Sequence, residues 1–256
     1  MKTIFLKINL IIAFSLIAYL VSAQDEKKQV AAPKKNILKI NITSLPISNY
    51  GFQFERVLSK KISFVLGYRT MPLGGVPFKD NIVSATGGDA DMQKTLNQLS
   101  ISNSAITPEI RWYPGKKGYG RGFYIAPFAR LGKFHGEGVK IEFSKTGGGT
   151  DNISLSGDLS STTFGLLLGA QWSLGKRLCL DWQIIGPHFG SGSGSLNGNT
   201  SFTLGTLEQN SIRDALSNVN IPMTTATSEV GANSVKLNLS GPWAGVRAGL
   251  SLGFRL

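Results

Sequence analysis

The chain has 256 residues, a formal net charge of +12 and only 16% charged residues, with 31 glycines and one cysteine. That charge is of the sign nucleic acid attracts, but no recognition motif accompanies it, and Cys179 alone excludes an internal disulfide framework. Beyond residue 23 no apolar run approaches the roughly 20 residues a membrane-spanning helix needs.

At the start of the chain, Lys2 and Lys7 precede the apolar run from Ile8 to Val21, and Val21-Ser22-Ala23 closes it with small residues. This is the layout of a secretory signal peptide cleaved after Ala23. A short membrane anchor is the alternative, for which the apolar core is too short. Cleavage leaves about 233 residues with a charge of about +10, enough for a single domain. Gln24, not a cysteine, stands directly after the cleavage site, so lipoprotein processing is not expected. Residues 24–36 are polar and charged and read as a flexible leader.

From residue 37 onward the chain falls into eight segments in which apolar residues alternate with polar or small ones, the period of a β-strand. The first, 37–44, sets Leu38, Ile40 and Ile42 against Lys39, Asn41 and Thr43. The second, 49–58, sets Tyr50, Phe52 and Phe54 against Gln53 and Glu55, and the third, 61–70, sets Ile62, Phe64, Leu66 and Tyr68 against Ser63, Gly67 and Arg69. In the fourth, 104–113, Ile106, Ile110 and Trp112 oppose Thr107, Glu109 and Arg111. The fifth, 122–144, places Phe123, Ile125 and Leu131 opposite Tyr124, Phe128 and Arg130. The sixth, 153–174, opposes Phe164, Leu166, Leu168 and Trp172 to Gly165, Gly169 and Gln171. The seventh, 177–188, opposes Leu178, Leu180, Trp182 and Ile184 to Asp181 and Gln183. The eighth runs from 234 to the end, with Val246, Ala248, Leu250, Leu252, Phe254 and Leu256 on one face and Arg247, Gly249, Ser251, Gly253 and Arg255 on the other.

An apolar outer face with a charged or small inner face is the pattern of a transmembrane β-barrel, which carries an even strand number, short periplasmic turns and longer external loops. The connections Leu58-Ser-Lys-Lys61, Pro114-Gly-Lys-Lys-Gly-Tyr-Gly-Arg121 and Leu174-Gly-Lys-Arg177 are short and basic, whereas 71–103 and 189–233 are long. With the N-terminus periplasmic, the basic turns fall inside and the long loops outside. A soluble lipocalin-like barrel has the opposite facing, apolar inside and polar outside. Within the long loops, Met92, Leu96 and Leu99 lie at helical spacing after Asp89 as N-cap. Thr206-Leu-Glu-Gln209 resembles a capping box before Ile212, Ala215, Leu216 and Val219. Two short helices follow, which either cap the barrel mouth or pack on one another, or form a docking surface. The aromatic residues Tyr50, Tyr68, Trp112, Phe123, Trp172, Trp182, Trp243 and Phe254 sit near segment ends or on the apolar face, as interfacial girdles do.

The lumen face gathers Gln53, Glu55, Arg69, Glu109, Arg111, Gln171, Asp181, Gln183 and Arg247, with Arg130 as a further candidate. An eight-stranded barrel is only wide enough for its own side chains, so these charges are expected to pair in a plugged interior; an ion pathway is the alternative. Catalysis has little support. His188 with Asp181 and Ser191 is the only suggestion of a lipid-modifying site, and three common residue types near one loop make a weak motif. No metal spacing is present and no cofactor is expected. Gly147-Gly-Gly149 and Gly190-Ser-Gly-Ser-Gly194 neither follow a strand nor open a helix as a phosphate cradle does, and read as loops.

The segments Asn36-Ile-Leu-Lys-Ile-Asn-Ile-Thr-Ser-Leu45, Tyr50-Gly-Phe-Gln-Phe-Glu-Arg56, Glu109-Ile-Arg-Trp-Tyr-Pro114 and Gly122-Phe-Tyr-Ile-Ala-Pro-Phe-Ala-Arg130 resemble a domain-of-unknown-function family of small Gram-negative outer-membrane β-barrels. The resemblance spans roughly 36–256 and implies an exported barrel with no catalytic residues assigned. The expected protein is thus all-β: one antiparallel up-and-down barrel of eight strands, closed by the last strand on the first near residues 38–42. The expected role is structural or interactive, as an accessory subunit of an envelope complex contacted through loops 71–103 and 189–233. A small-ligand binding or transport barrel is the alternative, and a lipid-modifying enzyme a distant third. Besides outer-membrane lipid, the alternating apolar residues up to Leu256 resemble the C-terminal signal read by barrel-assembly machinery.

Overall fold

The computed structural model describes residues 34–85, 87–217 and 223–256. The signal peptide, the leader up to residue 33 and Val219 lie outside them. The described residues form nine strands: β1 (Asn36–Asn41), β2 (Tyr50–Val57), β3 (Ile62–Gly75), β4 (Ser100–Trp112), β5 (Gly122–Ser144), β6 (Thr150–Leu174), β7 (Leu178–Asn199), β8 (Thr225–Val230) and β9 (Ser234–Arg255). The helices are α1 (Lys79–Ala85), α2 (Ala90–Gln98) and α3 (Thr206–Ser217). No described helix is long and apolar enough to cross a membrane.

All the strands pair antiparallel in one sheet, and β1 pairs with β9 from Ile37↔Arg255 to Asn41↔Ser251, so eight strands close a ring. The ninth, β8, pairs only with the far half of β9. It lies in the segment expected to be a loop, as does the continuation of β7 through Gly190-Ser-Gly-Ser-Gly194 to Asn199. Serine and glycine are weak strand formers, so periodic hydrophobicity, the only strand signal used there, is silent. The start of β1, the end of β9 and the three basic turns lie at one end of the ring, the near end. The helices and the tight turn 145–149 lie at the other.

The facing read from alternation holds almost throughout. Phe123, Phe164 and Val246 are each about two-thirds exposed on the outer surface (68%, 66% and 65%), while Glu55, Arg111 and Asp181 are fully buried inside. The outward apolar belt runs to Leu131 on β5, Phe164 on β6 and Phe189 on β7; beyond it come Lys133, Thr162 and Ser191. Trp172 and Trp182 stack on this face with centroids 6.3 Å apart. Trp243 is the exception among the expected girdle residues. It points inward, 4.8 Å from the ring of Phe134.

One irregularity changes the facing of half a strand. Opposite β6 the register jumps from Gln183↔Gly169 to Ile185↔Leu168, and opposite β9 from Gln183↔Gly249 to Gly186↔Arg247. An extra residue at a bulge shifts the side-chain phase by one. Before it the even-numbered residues Leu178 and Trp182 face outward; after it Ile185 and Phe189 do. Ile184, expected on the outer face, is absorbed in the bulge, and His188 is carried to the lumen side.

The wall is uneven in height. β1 stops at Asn41, where the chain turns through a 3-10 segment Leu45–Ile47 into β2; the expected extension to residue 44 is replaced by an Asn41-anchored turn, its Oδ1 accepting from the N–H groups of Thr43 and Ser44. Ile42 N–H donates to Leu250 O at 2.8 Å and Leu250 N–H to Thr43 Oγ1 at 3.1 Å, the last bonds of this seam. β8 takes over from Ser240 outward. Among the described residues no strand lies against that edge of β9 over residues 241–249, leaving a lateral gap.

Above the belt, the inner faces of β5, β6, β7 and β9 become apolar, and α3 packs on them. Ile212 and Leu216 are buried with Phe143, Ile153, Leu155, Leu196, Val235 and Leu237 in a second core. α3 thus caps the tall side of the mouth, whereas α1 packs on α2, and α2 packs against β3 and β5. Asp89 caps α2 as expected, accepting from Met92 N–H at 3.4 Å. The α3 cap differs in detail: Gly205, not Thr206, is the capping position. Glu208 reaches back to its N–H while also accepting from Thr146 N–H at 3.0 Å. These two donors, Thr146 first, hold the Glu208 carboxyl below the usual carboxylate range.

On the outer face beyond the belt, His135 bridges Asp158 across the β5–β6 pair (2.9 Å) and Glu137 (3.1 Å). These hydrogen bonds, that to Asp158 first, raise its pKa above 6.5. A raised native pKa gives stabilisation that is complete below the unfolded value and lost as pH rises through the folded one. Amide exchange around residues 135–137 and 157–159, corrected for intrinsic rates, should therefore show stronger protection at pH 6 than above pH 8. The difference should vanish in His135→Gln.

Candidate functional site

The lumen is filled in layers set by strand register. Nearest the termini, Ile37, Val57 and Cys179 form an apolar seal with Tyr119. Beneath it the turn after β4 folds across the opening. Gly120 adopts φ +66 there, and a Cβ on it would come 3.2 Å from both Gln171 Nε2 and Glu55 Oε1. Its carbonyl accepts from Gln171 Nε2 (2.7 Å) and Arg255 Nη2 (2.8 Å).

The next layer is an ionic plug. Lys39 Nζ lies 2.5 Å from both Glu55 Oε2 and Asp181 Oδ2. Arg111 pairs through Nε with Glu109 Oε1 at 2.5 Å and through Nη1 with Asp181 Oδ2 at 2.6 Å. Arg247 Nη1 reaches the other Glu109 oxygen at 3.0 Å. The remaining lone pairs are taken by hydroxyls: Ser63 Oγ and Tyr113 Oη donate to Glu55 Oε1 (2.7 and 2.9 Å), and Tyr124 Oη donates to Asp181 Oδ1 (2.8 Å). Gln171 accepts from Lys39, Gln53 accepts from Arg111 at 3.2 Å, and the Arg111 guanidinium sits 4.2 Å over the Tyr124 ring. Three cations thus meet three carboxylates with their hydrogen-bonding capacity largely used. That is the condition under which charges can be held out of water, since an uncompensated one costs several kcal/mol. Gly169 makes room for the Tyr124 ring: a Cβ there would lie 2.3 Å from Tyr124 Oη and 2.7 Å from Trp182 O.

Beyond the plug the lumen opens into a cavity of about 270 Å³. Arg69, Arg130, Arg247, Gln183 and His188 line it, with Phe134 and Trp243 at its far side. The Arg247 guanidinium stacks 4.5 Å over Phe128, which meets His188 edge-on at 5.9 Å. Among the described residues Arg247 alone of the three arginines has a carboxylate within ion-pair distance, and the three guanidiniums repel one another. Among the described residues, Gln183, 97% buried, has no partner for its Nε2, and the buried Arg69 Nε and His188 Nδ1 have none either.

Every lumen residue expected from the sequence faces inward, but they divide into two groups. Gln53, Glu55, Glu109, Arg111, Gln171, Asp181 and Arg247 meet in the plug. Arg69, Gln183 and the candidate Arg130 line the cavity instead, Arg69 having one long hydrogen bond to Asn103 at 3.4 Å. The sequence reading missed Lys39, which joins Glu55 to Asp181 at 2.5 Å to each, although its place between Leu38 and Ile40 already put it on the inner face. It also missed Ser63, Tyr113 and Tyr124 as donors. His188, Asp181 and Ser191 are not brought together: Asp181 is in the plug, His188 in the cavity, and Ser191 on the outer surface. No group of metal-ligating side chains occurs among the described residues.

Asp181→Asn leaves Lys39 and Arg111 short of a carboxylate in a dry interior. It should destabilise the barrel by about 3–5 kcal/mol, read as an earlier urea midpoint for loss of the compact form on unheated gels. Gly169→Ala should cost about 1–3 kcal/mol by the same assay, because the added methyl displaces the Tyr124 ring.

Comparison of the chain with protein-family models and with curated proteins finds no match.

Proposed function

We propose that this chain is an exported outer-membrane β-barrel of the kind the sequence resembles, non-conducting, with its termini and basic turns in the periplasm and its tall wall and helices at the cell surface. The observation that carries the reading is the inverted facing of the ring, with an apolar belt outside and a neutralised ionic plug inside. A soluble barrel of this size would need the opposite arrangement, and lipid is the solvent in which such a belt is stable. In a membrane, closing β1 on β9 satisfies the backbone groups along the seam that hydrocarbon cannot. The α3-covered extension, with its own core, supports a structural or interactive role at the surface, including that of an accessory subunit of an envelope complex. A second reading, a small-ligand binding barrel, is favoured by the cavity beyond the plug.

Two measurements test the proposal. The refolded protein should remain monodisperse only with detergent or lipid present; monodispersity in plain buffer would remove the membrane assignment. In planar bilayers it should give no stable conductance, and reproducible ohmic steps would refute the plugged lumen.

A further inference from the structure

The cavity and the lateral gap meet. The residues around the cavity include inward Arg69, Arg130 and Gln183, but also Val246 and Ala248, which face outward on the unpaired stretch of β9. Across the gap stand Phe52 and Tyr68, half exposed on the outer surfaces of β2 and β3. The cavity is therefore reached from the side of the barrel, in the far half of the apolar belt: the gap opens at Gly249 and passes Ala244, the level of Phe189 at the belt's edge.

The chemistry on either side of this opening is sharply divided. Inside are two guanidiniums with no carboxylate partner among the described residues, a third shared with Glu109, and buried donor-capable atoms on Gln183 and Arg69 without acceptors. Buried cations in excess of anions are costly unless an anion joins them, and guanidiniums present a fork that fits phosphate or carboxylate oxygens. Outside, the sill is apolar and aromatic. We propose that the cavity binds the anionic headgroup of an outer-leaflet amphiphile, a phosphate monoester or carboxylate, entering through the gap between β9 and the β1–β2 hairpin. The headgroup oxygens take the free donors of Arg69, Arg130 and Gln183. The acyl chain leaves over Phe52, Tyr68 and Val246 into the surrounding lipid, and Trp243 and Phe134 close the cavity on the far side.

This site rests on the membrane reading above, and its test separates the two. The protein in uncharged maltoside micelles is titrated calorimetrically with dodecyl phosphate, with inorganic phosphate and with uncharged dodecanol. Saturable binding of dodecyl phosphate is expected, with inorganic phosphate much weaker and dodecanol at the level of empty micelles. Arg130→Gln should weaken dodecyl phosphate binding by roughly tenfold to a hundredfold, the loss of a charged hydrogen bond. Since it also removes an uncompensated buried charge, this variant should be at least as resistant to urea as the parent, which separates lost binding from lost folding. Gln183→Leu should weaken binding in the same direction with the fold intact on unheated gels. Inorganic phosphate binding as tightly as dodecyl phosphate would overturn the lateral entry and the amphiphile. No saturable binding, or binding unchanged in both variants, would overturn the site while leaving detergent dependence and the absence of conductance as they stand.

Discussion

Neutralising the charges held inside the ring is the constraint on which the architecture depends. The cations come from β1, β4 and β9, and the carboxylates from β2, β4 and β7. Elements more than 100 residues apart in sequence must therefore stand side by side before any of these groups can leave water. The register that achieves this is the one that sends Leu38, Phe52, Phe54 and Leu252 outward. A slip by one residue in any strand would place its charges outside and its apolar residues within. Ion pairing and the apolar belt thus specify the same register independently, and agreement between levels of that kind narrows a sequence to one fold.

The lumen also shows a division of labour. The near half is compensated charge against charge and sealed by the turn carrying Gly120. The far half holds cations in excess, unpartnered donors and open volume. Packing considerations alone would fill or neutralise such a space, as they do one layer below. The tall side of the wall has a separate apolar core under α3, so the extension does not lean on the plug for its order. The cavity lies between two well-packed regions, framed by both and filled by neither.

Much of this was legible in the sequence because period-two alternation is a direct record of which face is buried. Facing, closure of the last strand on the first, the near-end turns and every inward residue chosen as a lumen candidate follow from it. Three things did not. The phase shift at Ile184 is invisible to alternation, since a bulge adds a residue without a compositional mark; hence His188 in the lumen and the two neighbours Ile184 and Ile185 at the break. The far part of β7 is mostly serine and glycine, and β8 is mostly small or polar, so their pairing shows no run of alternating apolar residues. The separation of the lumen residues into plug and cavity depends on depth along the barrel, which requires the register of every strand at once. Arg69 and Arg111 look alike on their own strands, and only the neighbours brought by other strands distinguish them.

The short seam between β1 and β9 has a consequence for how the ring comes together. It joins the residues farthest apart in the chain, Ile37–Asn41 with Ser251–Arg255, so its closure carries the largest chain-entropy cost of any strand pair in the barrel. With five residue pairs it is as short as the junction between β1 and β2, and has few backbone bonds to offset that cost. Lys39 sits in the middle of it and reaches across to Asp181 and Glu55. Closing the ring and discharging the interior are therefore a single event. Until β1 arrives, Asp181 and Glu55 lack one of their cations, and once it does, the ammonium ties the first strand to β7, the neighbour of the last.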